Sequence, residues 1–199
     1  RTGQLGQSGF TGVQSVAPFV IANVGVMPPA GNAAPGVLYG IDPDATGEPT
    51  TQIERELKEG KYSFGPNGSG LPGILVGTRL AQTVGVLPGD TLTVGSFENI
   101  KRGALGDLYP NMMSFEVTGI FRTDMYQYDS QNMYARIEEV QKLLDLPADT
   151  ISGLAINIAD PWQAADVGDA LFTRLGYPYY TDNWMTLNGS LFEALKLEK

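Results

Sequence analysis

Cysteine and histidine are both absent from the 199 residues. Without them the chain has no thiol nucleophile, no thiolate zinc site, no histidine-based triad and no imidazole proton shuttle. Any catalysis would have to rest on carboxylates, lysine, tyrosine or serine. A disulfide framework is excluded too, although an oxidising compartment permits disulfides without requiring them. Long apolar runs are also missing: no stretch reaches the ~20 residues of a membrane span, and residues 1–10 lack the charged-then-apolar layout of a signal peptide. Basic residues are the minority, 13 against 22 acidic, for a formal net charge of −9. Such a field repels phosphate backbones, argues against a nucleic-acid partner and favours basic partners.

What is present suffices for a core. Hydrophobic residues make up 42% of the chain, enough for one domain or two small subdomains. The sequence starts on Arg1 rather than Met and ends on a helical-looking stretch from Ser190 to Lys199, so it reads as a piece of a longer protein, compatible with an anchor at either end.

Three intervals rich in glycine, proline or polar residues punctuate the chain: Met27 to Gly36, Gly65 to Gly73, and a looser one from Gly95 to Asn111. Between them, Val16 to Val26 and Val37 to Ile41 are apolar and partly β-branched, which predicts strands. Ile53 and Leu57, four residues apart among charged neighbours, predict a short helix over 50–59 closed by Gly60. A strand from Ile74 leads into a helix over 78–84 stopped by Gly85. The sequence Val86-Leu87-Pro88-Gly89-Asp90 has turn chemistry, with Pro fixing φ at one corner and Gly accepting φ > 0 at the next. Strands follow at 91–94 and 115–121, and together these pieces describe a small β-rich subdomain. The last third alternates helix (136–144), strand (151–158) and helix, the latter opened by Asp160-Pro161 and carrying Val167, Ala170, Leu171 and Leu175 as its apolar stripe. Ser190 and Glu193 form a capping box at the start of a final helix.

Residues with chemical potential are few. Asp42 to Glu48 begins like a calcium loop, but its twelfth position is Ile53, which offers no carboxylate, so a plain Asx-type turn is expected and no metal. Gly65 to Gly70 lacks the Gly-Lys-Ser/Thr ending that holds phosphates and reads as a connection. Glu138 and Glu139 flank Ile137 and Val140 on a helix and read as its solvated face. Trp162, Trp184, Tyr126, Tyr128, Tyr177, Tyr179 and Tyr180 read for the most part as core or interface packing.

Three stretches, taken in order, resemble the periplasmic domains of lipoprotein-releasing permeases of the LolC/LolE type, relatives of the MacB and FtsX-like permeases. They are Val37-Leu38-Tyr39-Gly40-Ile41-Asp42-Pro43; the block from Gly73-Ile74-Leu75-Val76-Gly77 through Gly85-Val86 and Gly89-Asp90 to Leu92; and Asn183-Trp184 with Asn188, Leu191-Phe192, Ala194-Leu195 and Leu197-Glu198-Lys199. The third resembles the helix that leads into the family's second membrane span. This resemblance implies an α+β fold: a MacB-like periplasmic core with an α/β Porter-type subdomain, residues 1–42 and 124–199, and an inserted β-rich Sabre-type subdomain, residues 43–123. It implies a non-catalytic domain of an ABC transporter permease, periplasmic and attached to the inner membrane, without cofactor or metal. Its partners would be a LolA-like periplasmic lipoprotein carrier, the lipoprotein cargo, a cytoplasmic ATPase subunit, and a second permease subunit or a second copy.

The family's carrier-capturing hairpin matches residues 98–113 of this chain. Lys101, Arg102, Leu105, Leu108, Tyr109, Pro110 and Met113 are therefore the expected partner-binding residues, with an exposed apolar tip suited to a partner's groove. Pro110 matches a proline of the family hairpin, whereas Met113 stands where that pattern has a basic residue; Lys101 and Arg102 would supply charge from the other arm. Two other readings fit the residues less closely: a MacB-like efflux domain that meets an adaptor protein, and a carboxylate-dependent hydrolase, which needs two converging acids.

Overall fold

The computed structural model describes residues 12–45, 49–66, 68–102, 108–187 and 189. The elements run β1 (Val13–Met27), β2 (Ala34–Ile41), β3 (Leu57–Gly60), β4 (Gly73–Gly77), α1 (Thr78–Val84), β5 (Thr91–Arg102), β6 (Leu108–Phe121), α2 (Tyr126–Gln131), β7 (Asn132–Arg136), α3 (Ile137–Leu144), β8 (Gly153–Ile158), α4 (Ala164–Leu175) and α5 (Trp184–Leu187). This is the mixed helix-and-sheet architecture expected from the sequence. The chain divides into two compact units, Ala17–Ala155 and the described residues of Arg1–Val16 with Ile156–Lys199. The expected boundaries after residues 42 and 123 both fall inside the first of these.

Within 17–155 the strands close on themselves. The path β2-β7-β4-β6-β5-β1 is completed by antiparallel pairing of β1 with β2, from Phe19↔Ile41 to Val26↔Ala34. Alternation along each strand sends side chains to opposite faces, and around β4 and β7 both faces are filled. Leu38, Ile74, Val76 and Met133 join Val20, Leu92, Val94, Phe115 and Val117 in one core. Leu80, Ala81 and Val84 of α1 and Ile137, Val140, Leu143 and Leu144 of α3 complete it. The intervening residues Leu75 and Tyr134 point the other way and pack with Ile41, Ile53, Phe64 and Phe121. All five residues of β4 are therefore buried.

Local chemistry sets the ends of these elements as the sequence predicts. Gly85 adopts φ 72° and its N–H donates to the Ala81 carbonyl at 2.8 Å, closing α1. Residues 87–90 make the expected turn: Asp90 N–H donates to Leu87 O at 3.0 Å, and the Asp90 carboxylate accepts the Leu87 N–H at 2.8 Å. The buried Gln141 of α3 donates to Ala148 O and Thr150 O, at 3.1 and 2.8 Å, and so fastens the loop after the helix.

One expected helix is absent. Residues 50–59 make a single turn, with Arg55 N–H donating to Gln52 O at 2.9 Å, and then enter β3, where Leu57 pairs with Phe121. Ile53 and Leu57 still reach the same core, because one turn followed by a strand delivers both as well as a helix would. Three elements have no counterpart in the sequence reading, α2, β7 and α5; β7 lies between β2 (parallel) and β4 (antiparallel). In the unit formed by 12–16 and 156–187, Asp160 caps the turn before α4 by accepting the Trp162 N–H at 3.0 Å. The predicted stripe of α4 is largely open: Leu171 is buried, Val167 half-buried, and Ala170 and Leu175 exposed. The capping box at 190–193 lies outside the described residues.

The second core contains phenols as well as aliphatics. Tyr39 stacks on Tyr134 with ring centres 5.3 Å apart, and Phe121 meets Tyr134 edge-on at 5.4 Å. Burial pushes the Tyr134 phenol up, with a further push from Tyr39; burial likewise raises Tyr39 and Tyr62. In the unfolded chain these groups titrate near the ordinary tyrosine value of about 10. Because the folded values lie above that, the native state holds more protons than the unfolded one at alkaline pH. Their contribution is thus complete below about pH 10 and is lost as pH rises above it. Urea midpoints followed by circular dichroism should be level up to about pH 9 and then fall; Tyr134→Phe should flatten that fall, and a fall unchanged by it would contradict the assignment.

Candidate docking hairpin

Beyond the ring, β5 and β6 continue as a pair of arms. Their ladder is regular from Thr91↔Glu116 to Ser96↔Asn111, then shifts, and resumes at Lys101↔Tyr109 and Arg102↔Leu108. The shift sets residues 97–100 of β5 against Pro110 alone. Pro110 has no N–H to give to a ladder, which is where a sheet tolerates a bulge. Residues 95–111, expected as a loose loop, are therefore mostly strand up to the described ends at 102 and 108.

The base of the arms is fastened. Asn111 Nδ2 donates to Leu143 O at 2.6 Å and to Lys142 O at 3.4 Å, in the last turn of α3, where carbonyls lack the next helical N–H; Lys142 O also accepts the Asp145 N–H at 3.2 Å. The Thr93 and Ser114 hydroxyls meet across the strands at 3.1 Å. On one face a row of small residues, Gly25 opposite Gly95, lets larger neighbours lie across it. A β-carbon on Gly25 would come within 3.0 Å of the Phe97 ring, and one on Gly95 within 3.0 Å of Met27 Cε. Phe97 nevertheless remains 59% exposed and Met112, opposite Gly95, 50%. Ile100 is exposed as well.

The expected partner-binding residues separate along this hairpin. Lys101 and Arg102 end β5, and Leu108 and Tyr109 begin β6 as their cross-strand partners. Pro110 is half-buried at the bulge. Met113 lies at the base, opposite Val94, and packs against the main core. Leu105 lies outside the described residues. Phe97, Ile100 and Met112 were not among the expected residues; the sequence signal was an apolar side chain at intervals within a run otherwise taken as loop.

Other groups have structural tasks. Asp44 N–H donates to Asp42 Oδ1 at 3.0 Å, the expected Asx turn, and Asp44 pairs with Arg136 at 2.7 Å, which raises the Arg136 guanidinium. Among the described residues no group of acids is placed to hold a metal ion. An open polar cleft lies between Thr78, Arg79 and Gln82 of α1 and Arg122, Asp124, Tyr126 and Asp129. Its acids are engaged: Asp124 pairs with Arg122 at 2.6 Å, and the buried Asp129 accepts the Thr123 N–H and hydroxyl, both at 2.8 Å. Glu139 of the Glu138-Glu139 pair is bound to Lys142 at 2.8 Å. Tyr126, Tyr128, Tyr177, Tyr179, Tyr180 and Trp162, read mostly as packing residues, are all exposed. No helix of the described residues is long and apolar enough to cross a membrane.

This fold recurs in solved structures. The periplasmic region of MacB from Actinobacillus actinomycetemcomitans superimposes with a TM-score of 0.57 at 15% identity, over 96% of this chain and 80% of that one. The extracellular domain of the noncanonic ABC-type transporter YknZ from Gram-positive bacteria gives 0.52 at 13% identity, over 86% and 81%. The fold is thus that of the extracytoplasmic domains of MacB-type permeases. No family model matches the chain. Sequence comparison is more particular. The lipoprotein-releasing system transmembrane protein LolC of Xylella fastidiosa strain 9a5c is 30% identical over 166 residues, 83% of this chain and 38% of the relative. LolC of Neisseria meningitidis is 27% identical over 194 residues, 94% of this chain and 44% of the relative. The chain is thus similar in sequence to LolC permeases over most of its own length, in line with the resemblance of its motifs, and spans about two fifths of the length of these relatives.

Proposed function

We propose that this chain is the periplasmic domain of an inner-membrane ABC permease that releases lipoproteins and passes them to a LolA-like carrier, which it captures on the β5–β6 hairpin. The observation that carries this reading is the hairpin itself. It is fastened at its base by Asn111 and bears exposed Phe97, Ile100 and Met112 on arms that run on past the ring. Apolar side chains held on a rigid pair of strands bind with little ordering cost, which suits insertion into a partner's groove. Lys101 and Arg102, at the outer end of an otherwise acidic chain, add a local charge of the opposite sign and would steer an acidic partner. The domain forms and breaks no bond; ATP hydrolysis belongs to a separate cytoplasmic subunit, and the cargo meets the domain together with a second permease subunit or a second copy.

Deleting residues 104–109 tests this directly. The ring and its two cores lie elsewhere, so the circular dichroism spectrum and melting temperature should be unchanged while pull-down of the carrier is lost. Carrier retained at the wild-type level by the deleted chain would refute the reading.

A further inference from the structure

We propose that the aromatic surface on the unit formed by residues 12–16 and 156–187 rests in the headgroup region of a phospholipid bilayer, an inference that builds on the reading of the chain as a permease domain. Its exposed apolar side chains are Trp162, Phe172, Tyr177, Tyr180 and Leu187, with Trp184 half-buried beside Trp162. Tyr177 is 96% exposed, Tyr180 84% and Trp162 70%. The segment after α4 folds back along it: the Thr181 hydroxyl donates to Gly168 O in mid-helix at 3.2 Å, and Trp184 Nε1–H donates to Pro161 O, ahead of the helix, at 2.8 Å. Trp162 and Trp184 then meet edge-on with ring centres 5.3 Å apart. Asn183 caps α5 through the N–H groups of Met185 and Thr186, which places Leu187 one turn beyond Trp184 on the same side.

The composition of this surface selects its occupant. Tryptophan and tyrosine carry an apolar body and a polar tip, the combination enriched at the membrane–water boundary. A protein interface of this aromatic content would normally bury such rings in a dry centre; here the same stretch carries four exposed aspartates, Asp160, Asp166, Asp169 and Asp182, which would stay in water. Position agrees with chemistry. The matched relatives are named transmembrane proteins and are more than twice as long as the matched region. Any continuation leaves through the chain's ends, and the described residues nearest both of them, 12–16 and 184–187, belong to this unit. Four aspartates against Arg174 make the described 156–187 stretch acidic, so the surface fits zwitterionic lipid better than anionic lipid.

The chain's own fluorescence reads the site, because its two tryptophans, Trp162 and Trp184, are both part of it. The 199-residue chain, carrying a polyhistidine tag after Lys199, is to be anchored on phosphatidylcholine vesicles containing a nickel-chelating lipid. Lipids brominated near the headgroup should quench its emission more than lipids brominated deep in the acyl chains. The triple variant Phe172→Ser, Tyr177→Ser, Tyr180→Ser should keep its circular dichroism spectrum while partition of the untagged chain onto vesicles drops roughly tenfold or more. Replacing part of the phosphatidylcholine by phosphatidylglycerol should weaken partition. Absence of quenching while the same chain captures the carrier overturns the proposal and leaves the docking reading standing. Quenching equal in the triple variant, or an emission shift that follows protein concentration without lipid and so assigns the surface to a second copy, overturns it too. Quenching retained by a chain that fails to capture the carrier supports the lipid contact and counts against the docking reading alone.

Discussion

Gly60→Ala should destabilise the 17–155 unit by about 3 kcal/mol or more, a large part of the 5–15 kcal/mol typical of a whole domain. Two effects combine at this residue. Its φ is +80°, a conformation that costs an L-residue roughly 1–2 kcal/mol. Its β-carbon would also run into the Thr118 carbonyl oxygen and stand 2.8 Å from Gly119 Cα. These are backbone atoms of β6 opposite Gly60 and cannot swing away as a side-chain end would. The same few residues hold β3 in place: Gly60 pairs with Gly119, and the Lys61 N–H donates to Thr118 O at 2.7 Å. Relief would therefore require β3 to leave β6, exposing Leu57 and the Phe121 side of the second core. Gly65→Ala is the control, since its β-carbon would meet nothing within 4 Å and its φ lies outside the left-handed range. Urea denaturation monitored by circular dichroism should show a much lower midpoint for the first variant and about the wild-type midpoint for the second. Equal midpoints would mean that β3 contributes little to the unit.

Why Gly60 could be read as a stop but β3 could not be read as a strand shows what the sequence makes legible. Signals that act within four residues were correct: Gly85 closing α1, Pro88-Gly89 turning before β5, Asp160 capping the turn before α4. Each satisfies a backbone group close by in sequence, so the residue type carries the information. The 50–59 segment failed because its two apolar residues are spaced for a helical face, and nothing local reveals that β6, some sixty residues away, supplies a strand partner. β7 failed for a related reason. Its first four residues, Asn132 to Ala135, are buried on both faces between β2 and β4, so it has no alternation to detect and includes a buried asparagine.

The hairpin was legible in place but not in form. Resemblance located residues 98–113, and the proline at 110 marks the bulge. The glycine and polar content of 95–111 nevertheless masked two ladders whose register depends on pairs across the hairpin, and on Asn111 reaching α3 more than thirty residues away. Exposure of Phe97 and Met112 on one face follows from that register, with Gly95 between them in the strand alternation. Met113, one residue on, consequently turns inward. The position where the family pattern has a basic residue thus belongs to the core-facing side of β6, and a lysine there would replace a packed apolar side chain.

On the proposed docking reading, that arrangement predicts which hairpin residues would dominate carrier capture. Phe97→Ser with Met112→Ser should weaken binding roughly 100-fold, because side chains of this kind buried at the centre of an interface are the ones that carry its energy. Both are at least half exposed in the free chain, so the double variant should melt near the wild-type temperature. Lys101→Glu with Arg102→Glu should instead slow association and flatten its salt dependence while changing affinity about 10-fold or less, as expected of charges at an interface rim. Surface plasmon resonance on immobilised carrier at two salt concentrations separates the two classes: the apolar pair acts on the dissociation rate, the basic pair on the association rate. If the charge reversal instead abolished binding and the serine pair left it intact, the arms would be a spacer. Capture would then be an electrostatic event at the outer end of the hairpin, with Lys101 and Arg102 meeting a fully desolvated acidic partner.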